Sequence, residues 1–137
     1  MNPIRRANIL VVARWIFGVL YAGTGLVITS GFLGLAAPPP QPTPAAAAFT
    51  HALTQSGIVD PLLTLTYLVG GIALLRDKTA PIGIILLAPA VAVIFLFHLA
   101  LSGQWIWGTL NLVWLLALAW QYRSAFRPLW NHAQPPR

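Results

Sequence analysis

The sequence predicts an all-α integral membrane protein: a bundle of four helices with one short extracytoplasmic interfacial helix. Three observations predict it. Only ten of 137 residues are charged, eight Lys or Arg and two Asp, or 7% against the ~25% usual for soluble domains. Apolar residues make up 58%, and the mean hydropathy is +0.76. The charges also leave long gaps: 45 residues from Trp15 to Val59, 15 from Pro61 to Leu75 and 44 from Thr79 to Tyr122. A small soluble domain needs a mixed charged surface to stay dispersed, and disorder needs few apolar residues. Neither class fits. Length gives a single domain over 1–137.

A membrane span needs about 20 apolar residues. The first span reads from about Ile9 to Leu33, and the prolines from Pro38 to Pro44 end it in a stiff linker. Thr43 and Pro44 then read as N-cap and N1 of a short helix, Ala45 to Ser56, closed by Gly57. Ala45, Ala48, Phe49, Ala52 and Leu53 fall on one face of it. About 12 residues cannot cross a bilayer, so this helix is expected at the interface.

Asp60 reads as the N-cap of a short second span, Pro61 to Leu75, with Arg76 and Lys78 snorkelling at its end. The third span, Pro81 to Leu101, contains Pro89, which cannot donate to the carbonyl of Ile85; a kink is expected there. Ser102-Gly103-Gln104 is a tight turn, and the fourth span runs from about Trp105 to Tyr122. Small residues that let helices approach form the expected seams: Gly18, Ala22 and Gly25; Thr66, Gly70 and Ala73; Ala88 and Ala92.

With four spans, all eight basic residues fall on one side: Arg5, Arg6, Arg14, Arg76, Lys78, Arg123, Arg127 and Arg137. The positive-inside rule puts that side, and both termini, in the cytoplasm. Trp105 and Trp107 suit an outer aromatic belt; Trp15, Trp120 and Trp130 suit an inner one. One rival reading has Arg5, Arg6, an apolar run and Leu35-Ala36-Ala37 as a cleavable signal peptide. The run is longer than the 7–15 residues usual for that segment.

Few groups remain for chemistry. The chain has no Cys, and three His with distant carboxylates make no metal site. Asp60 and Asp77, the only acids, fall on opposite sides, so no carboxylate pair forms, and no catalytic residue is assigned. Eight basic residues in three clusters make no stripe that would track nucleic acid. By depth, His98, Asn111, Tyr67, Thr64 and Thr24 lie near one level below the outer surface. If their faces converge, they form a polar pocket for the carbonyl or hydroxyl of a lipophilic ligand such as a quinone. Asp60, His51 and Gln104 would sit at its mouth. The plainer reading makes His98 and Asn111 interhelical hydrogen-bonding groups. Arg14 is expected to snorkel, or to pair with Asp77 and orient the first two spans. Tyr122 to Leu129 is basic and aromatic, which suits a headgroup surface.

These residues also resemble a known family. Ala13-Arg14 with Gly18, Ala45-Ala46-Ala47-Ala48-Phe49, Ser56-Gly57, Gly71 with Leu74-Leu75, Ala80-Pro81, Leu87-Ala88-Pro89, Phe97-His98, Ala119 to Arg123 and Ala125 to Leu129 occur in this order. Together they resemble the DoxX-like family of small four-span bacterial membrane proteins, over nearly all of Ala13 to Leu129. The resemblance implies a multi-pass protein of the bacterial inner membrane. The family takes its name from a subunit of a thiosulfate:quinone oxidoreductase. It implies an accessory or anchoring subunit, or a binder of a lipophilic molecule, tied to a membrane redox complex. Partners would be the bilayer and a membrane protein or a second copy. An enzymatic alternative makes His98 the proton carrier of a quinone-reactive subunit. A small transporter is a third reading, disfavoured because there is no inverted repeat. The chain also departs from the family. Members carry an acid where Tyr67 stands and a Lys where Thr64 stands. They have Asn near Val27 and at Val93, and often an acid near Leu115.

Overall fold

The computed structural model describes residues 3–37 and 39–130, with side chains over 8–37 and 39–129. Pro38, the side chains of Arg5, Arg6 and Trp130, and Arg137 lie outside these. Among the described residues the protein is all α, with six helices and no strand. They are α1 (Pro3–Phe32), α2 (Pro44–Gln55), α3 (Val59–Leu74), α4 (Ala80–Ala100), α5 (Trp105–Gln121) and α6 (Arg123–Trp130). The Asn8–Phe32 part of α1 and the whole of α4 are long and apolar enough to cross a membrane. The bent pair α2 and α3, turning through 93°, would make a third crossing if it forms one span. The helix α6 falls where the sequence indicated only a basic, aromatic surface run.

Local chemistry accounts for most of the boundaries. Thr43 caps α2: its hydroxyl accepts from the Ala46 N–H at 3.1 Å, and Pro44 occupies the first turn. The same hydroxyl donates to the Leu101 carbonyl, tying the start of α2 to the end of α4. Gly57 and Gly103 take positive φ, 68° and 71°, in the turns after α2 and α4. Asp60 is not a cap. The N-cap of α3 is Ile58, without a side-chain bond, and Asp60 lies in the first turn. The Ser56 hydroxyl takes over part of the capping, accepting from Val59 N–H at 3.2 Å. A carboxylate in the first turn still favours the helix dipole. The helix α4 continues through Pro89 as one element.

Helix α1 packs along α3, α3 along α4 and α4 along α5, while α1 and α5 touch over a narrower strip. Phe17 and Tyr21 of α1, Leu74 of α3, Leu87 and Val91 of α4, and Leu115 and Leu118 of α5 fill the shared core. The expected α1 row Gly18, Ala22 and Gly25 lies against α3 and the expected Gly70 lies at a seam, where Gly71, Gly83 and Gly108 join them. Gly18 of α1 faces Gly71 of α3 so closely that a Cβ on Gly71 would lie 2.6 Å from the Ala22 nitrogen. Gly25 meets Leu68. Gly70 faces α4 instead, where Gly83 approaches its carbonyl and Leu87 covers it. Gly108 brings α5 against His98 and Phe95. Ala92 is exposed and Ala88 only half-buried, so this expected stripe is not the α4 seam. The inward face of α2 is likewise rotated: Ala46 is buried and Phe49, Thr50 and Leu53 are half-buried, whereas Ala45, Ala48 and Ala52 are exposed.

Candidate functional site

Phe49 of α2 packs on Phe97 of α4, with 5.7 Å between ring centroids, but beside this contact α2, α3 and α4 do not fill the space between them. A chamber of about 540 Å³ lies between the three helices. Phe49, Thr50 and Leu53 form one wall, with Val59, Leu62, Leu63, Thr66 and Tyr67 of α3 opposite. Pro89, Ala90, Val93, Ile94 and Phe97 of α4 complete it. The depth of each residue follows from helix rise. Phe49, Val59 and Phe97 stand at one end; Tyr67 lies about 12 Å along α3 from Val59, and Pro89 about 12 Å along α4 from Phe97. Leu62 and Val93 are 59% and 51% exposed, so the chamber is open sideways between α3 and α4. Its size lies in the range of pockets that enclose small molecules.

Tyr67 is the polar exception in this apolar lining that matters most. It is only 6% exposed, and among the described residues its hydroxyl has no hydrogen-bond partner. A buried Tyr usually finds one. Its ring is held edge-on by Tyr21, at 5.3 Å between centroids. Tyr21 has a partner for its proton: its hydroxyl donates to Asn111 Oδ1 at 3.1 Å, and Asn111 Nδ2 donates to the Trp107 carbonyl at 2.9 Å. The Phe17 ring packs on both Tyr21 and Trp114. Asn111 is therefore joined to α1 by a buried bond, behind the ring of Tyr67.

The other expected members of a polar pocket are placed elsewhere. His98 Nδ1 is hydrogen-bonded to Ser102 Oγ at 2.7 Å, one turn along its own helix, and His98 does not line the chamber. Thr24 donates to the Leu20 carbonyl in its own helix. Thr64 is half-buried on α3 and does not line the chamber; Thr66 does. Asp60 lies in the first turn of α3, His51 is exposed within α2, and Gln104 stands at the N-cap position of α5 without a side-chain bond. No hydrogen bond among the described residues joins His98 to Asn111 or Tyr67. No group of three His, Cys, Asp or Glu among them is placed to hold a metal.

The opposite end carries the charged cluster. The Arg14 side chain is 5% exposed, and Nη1 donates to Asp77 Oδ1 at 3.3 Å. The Tyr122 hydroxyl donates to the same oxygen at 2.5 Å. Asp77, with 77% of its side chain exposed, thus ties the turn after α3 to α1 and to the end of α5. Arg14 Nε is buried without a partner.

Sequence reasoning pointed to Arg14 with Asp77 and to Pro89, but it missed the chamber walls and the second partners. Apolar wall residues carry no chemical signature that separates them from core. Tyr21 carried one: a phenol in the middle of an apolar run needs a hydrogen-bond partner. No family model matches the chain, and no curated protein or solved structure matches it.

Proposed function

We propose that the chain is a DoxX-like integral protein of the bacterial inner membrane, and that it binds a small lipophilic molecule in the chamber between α2, α3 and α4. The chamber carries the binding reading: about 540 Å³ of open, apolar-walled space in a chain of 137 residues. Four crossings, by α1, α3, α4 and α5, are supported by what those helices leave uncovered. Val19 and Leu26 on α1, Leu65 and Ile72 on α3, Ile82 and Leu96 on α4, and Val113 and Leu116 on α5 are each 56–61% exposed. Large apolar side chains on the outside of every long helix are costly in water and expected in lipid. The helix α2 then lies across the outer surface and roofs the chamber.

Partition of the basic residues to one face supports cytoplasmic termini. Binding without catalysis fits the scarcity of ionisable groups, and attachment to a redox complex rests on the family resemblance alone. A quinone remains one member of the ligand class. The reading of His98 as proton carrier draws nothing from the geometry, because His98 is off the chamber and bonded to Ser102.

Native mass spectrometry of the protein released from lipid nanodiscs tests this. One co-purifying lipophile per chain is expected, lost when Val93→Trp fills the open side of the chamber. Empty protein that also takes up no added lipophile would overturn the binding reading.

A further inference from the structure

The walls of the chamber say that its ligand is apolar; Tyr67 says something more. We infer that the ligand carries a hydrogen-bonding oxygen at its buried end, held by the Tyr67 hydroxyl. The inference rests on the binding reading and narrows its ligand class to ketones, quinones, phenols and alcohols with an apolar body.

Three observations support it. Tyr67 is 6% exposed and lines the chamber, yet its hydroxyl has no partner among the described residues, at a depth where lipid offers none. An unmet hydroxyl in an apolar setting is costly. The nearest phenol, Tyr21, gives its own proton to Asn111, and among the described residues no hydrogen bond joins it to Tyr67. Tyr21 instead sets the Tyr67 ring edge-on and so limits where the hydroxyl can turn. Thr66 places a second hydroxyl on the same wall, also without a partner among the described residues.

Position then excludes the commonest lipophile. A phospholipid keeps its polar head at the surface and would send only an acyl chain down to Tyr67. Tyr67 lies about 12 Å along α3 from Val59 by helix rise, deeper than a headgroup reaches, so the oxygen it meets belongs to the buried end of the ligand. Phe49 and Phe97, packed at 5.7 Å between ring centroids, close the end of the chamber away from Tyr67, and the open side at Leu62 and Val93 suits the apolar body of the ligand.

The test compares two probes of one length, 2-tridecanone and n-tridecane, added to the purified protein in nanodiscs. Binding is read by native mass spectrometry. The ketone is expected to bind about two- to tenfold more tightly than the alkane, the range of one net hydrogen bond. Tyr67→Phe keeps the ring and should abolish that preference. Thr66→Val, a second variant, should reduce it in part. Equal binding of the two probes to the native chain, or a preference that survives Tyr67→Phe, overturns the inference and leaves lipophile binding standing. Failure of both probes to bind overturns both.

Discussion

Arg14 is the residue whose placement costs most and explains most. A guanidinium that is 95% buried is tolerable only with a partner, and the partner is Asp77, itself mostly in solvent. The asymmetry gives a prediction. Asp77→Ala strands the buried cation and should destabilise the protein by about 1–3 kcal/mol. Arg14→Met removes the buried charge and leaves the carboxylate to water and Tyr122, so it should cost less. Unfolding in detergent measured by SDS titration compares the two, and equal costs would show that the pair is not asymmetric in this way. Tyr122→Phe should cost about 0.5–1.5 kcal/mol in the same assay. A second residue-scale prediction concerns α1 and α5, which share a narrow contact. Tyr21→Phe leaves Asn111 Oδ1 without its donor and should cost about 1 kcal/mol. Combining it with Asn111→Leu should cost less than the sum of the single changes. Additive costs would mean that the bond does not couple the helices.

At the scale of elements, glycine decides how close the helices come. On α3, Gly71 sits where any Cβ would strike the backbone of α1, at 2.6 Å from the Ala22 nitrogen and 2.7 Å from the Gly18 oxygen. Neither neighbour is a flexible side-chain end, so Gly71→Ala must push α1 away, at about 2 kcal/mol or more. Gly23, on the same α1, has nothing within 4 Å of a Cβ. Gly23→Ala should therefore stabilise by up to about 1 kcal/mol through helix propensity. Opposite signs in thermal unfolding are the expected result. This contrast also shows what could be read in advance. Helix positions, the Thr43-Pro44 start of α2 and the turn at Gly103 were legible, because caps and turns are chemistry local to a few residues. The small-residue rows in α1 and α3 were legible as rows. Which glycine faces which helix was not, because Gly70 and Gly71 are adjacent in sequence and point to different partners. For the same reason the face of α2 was misjudged by one position. The chamber was invisible in sequence because it is made by side chains that fail to meet. Arg14 and Asp77 were found because Asp77 is the one acid at the basic end, which left a single pairing.

At the scale of the whole molecule, the four long helices make a testable map of inside and outside. The turn at Arg76–Thr79 carries two of the eight basic residues, and the turn at Ser102–Gln104 carries none. If α4 crosses the bilayer, these two turns face opposite compartments. If α5 crosses as well, α6 with Arg123 and Arg127 returns to the basic side. At 17 residues α5 is about 25 Å long, near the short limit for a span. The absence of cysteine makes the test clean. Single substitutions Gln41→Cys, Lys78→Cys, Gln104→Cys and Ser124→Cys are labelled in intact spheroplasts with a membrane-impermeant maleimide. Gln41→Cys and Gln104→Cys should react at once, and Lys78→Cys and Ser124→Cys only after the membrane is opened. Immediate reaction at both Gln104→Cys and Ser124→Cys would mean that α5 does not cross. The chain would then have three spans, and its basic residues would be split between the two faces. That outcome would remove the charge argument for orientation but not the chamber, whose walls come from α2, α3 and α4 alone. Orientation and binding therefore stand on separate observations, and either can fail without the other.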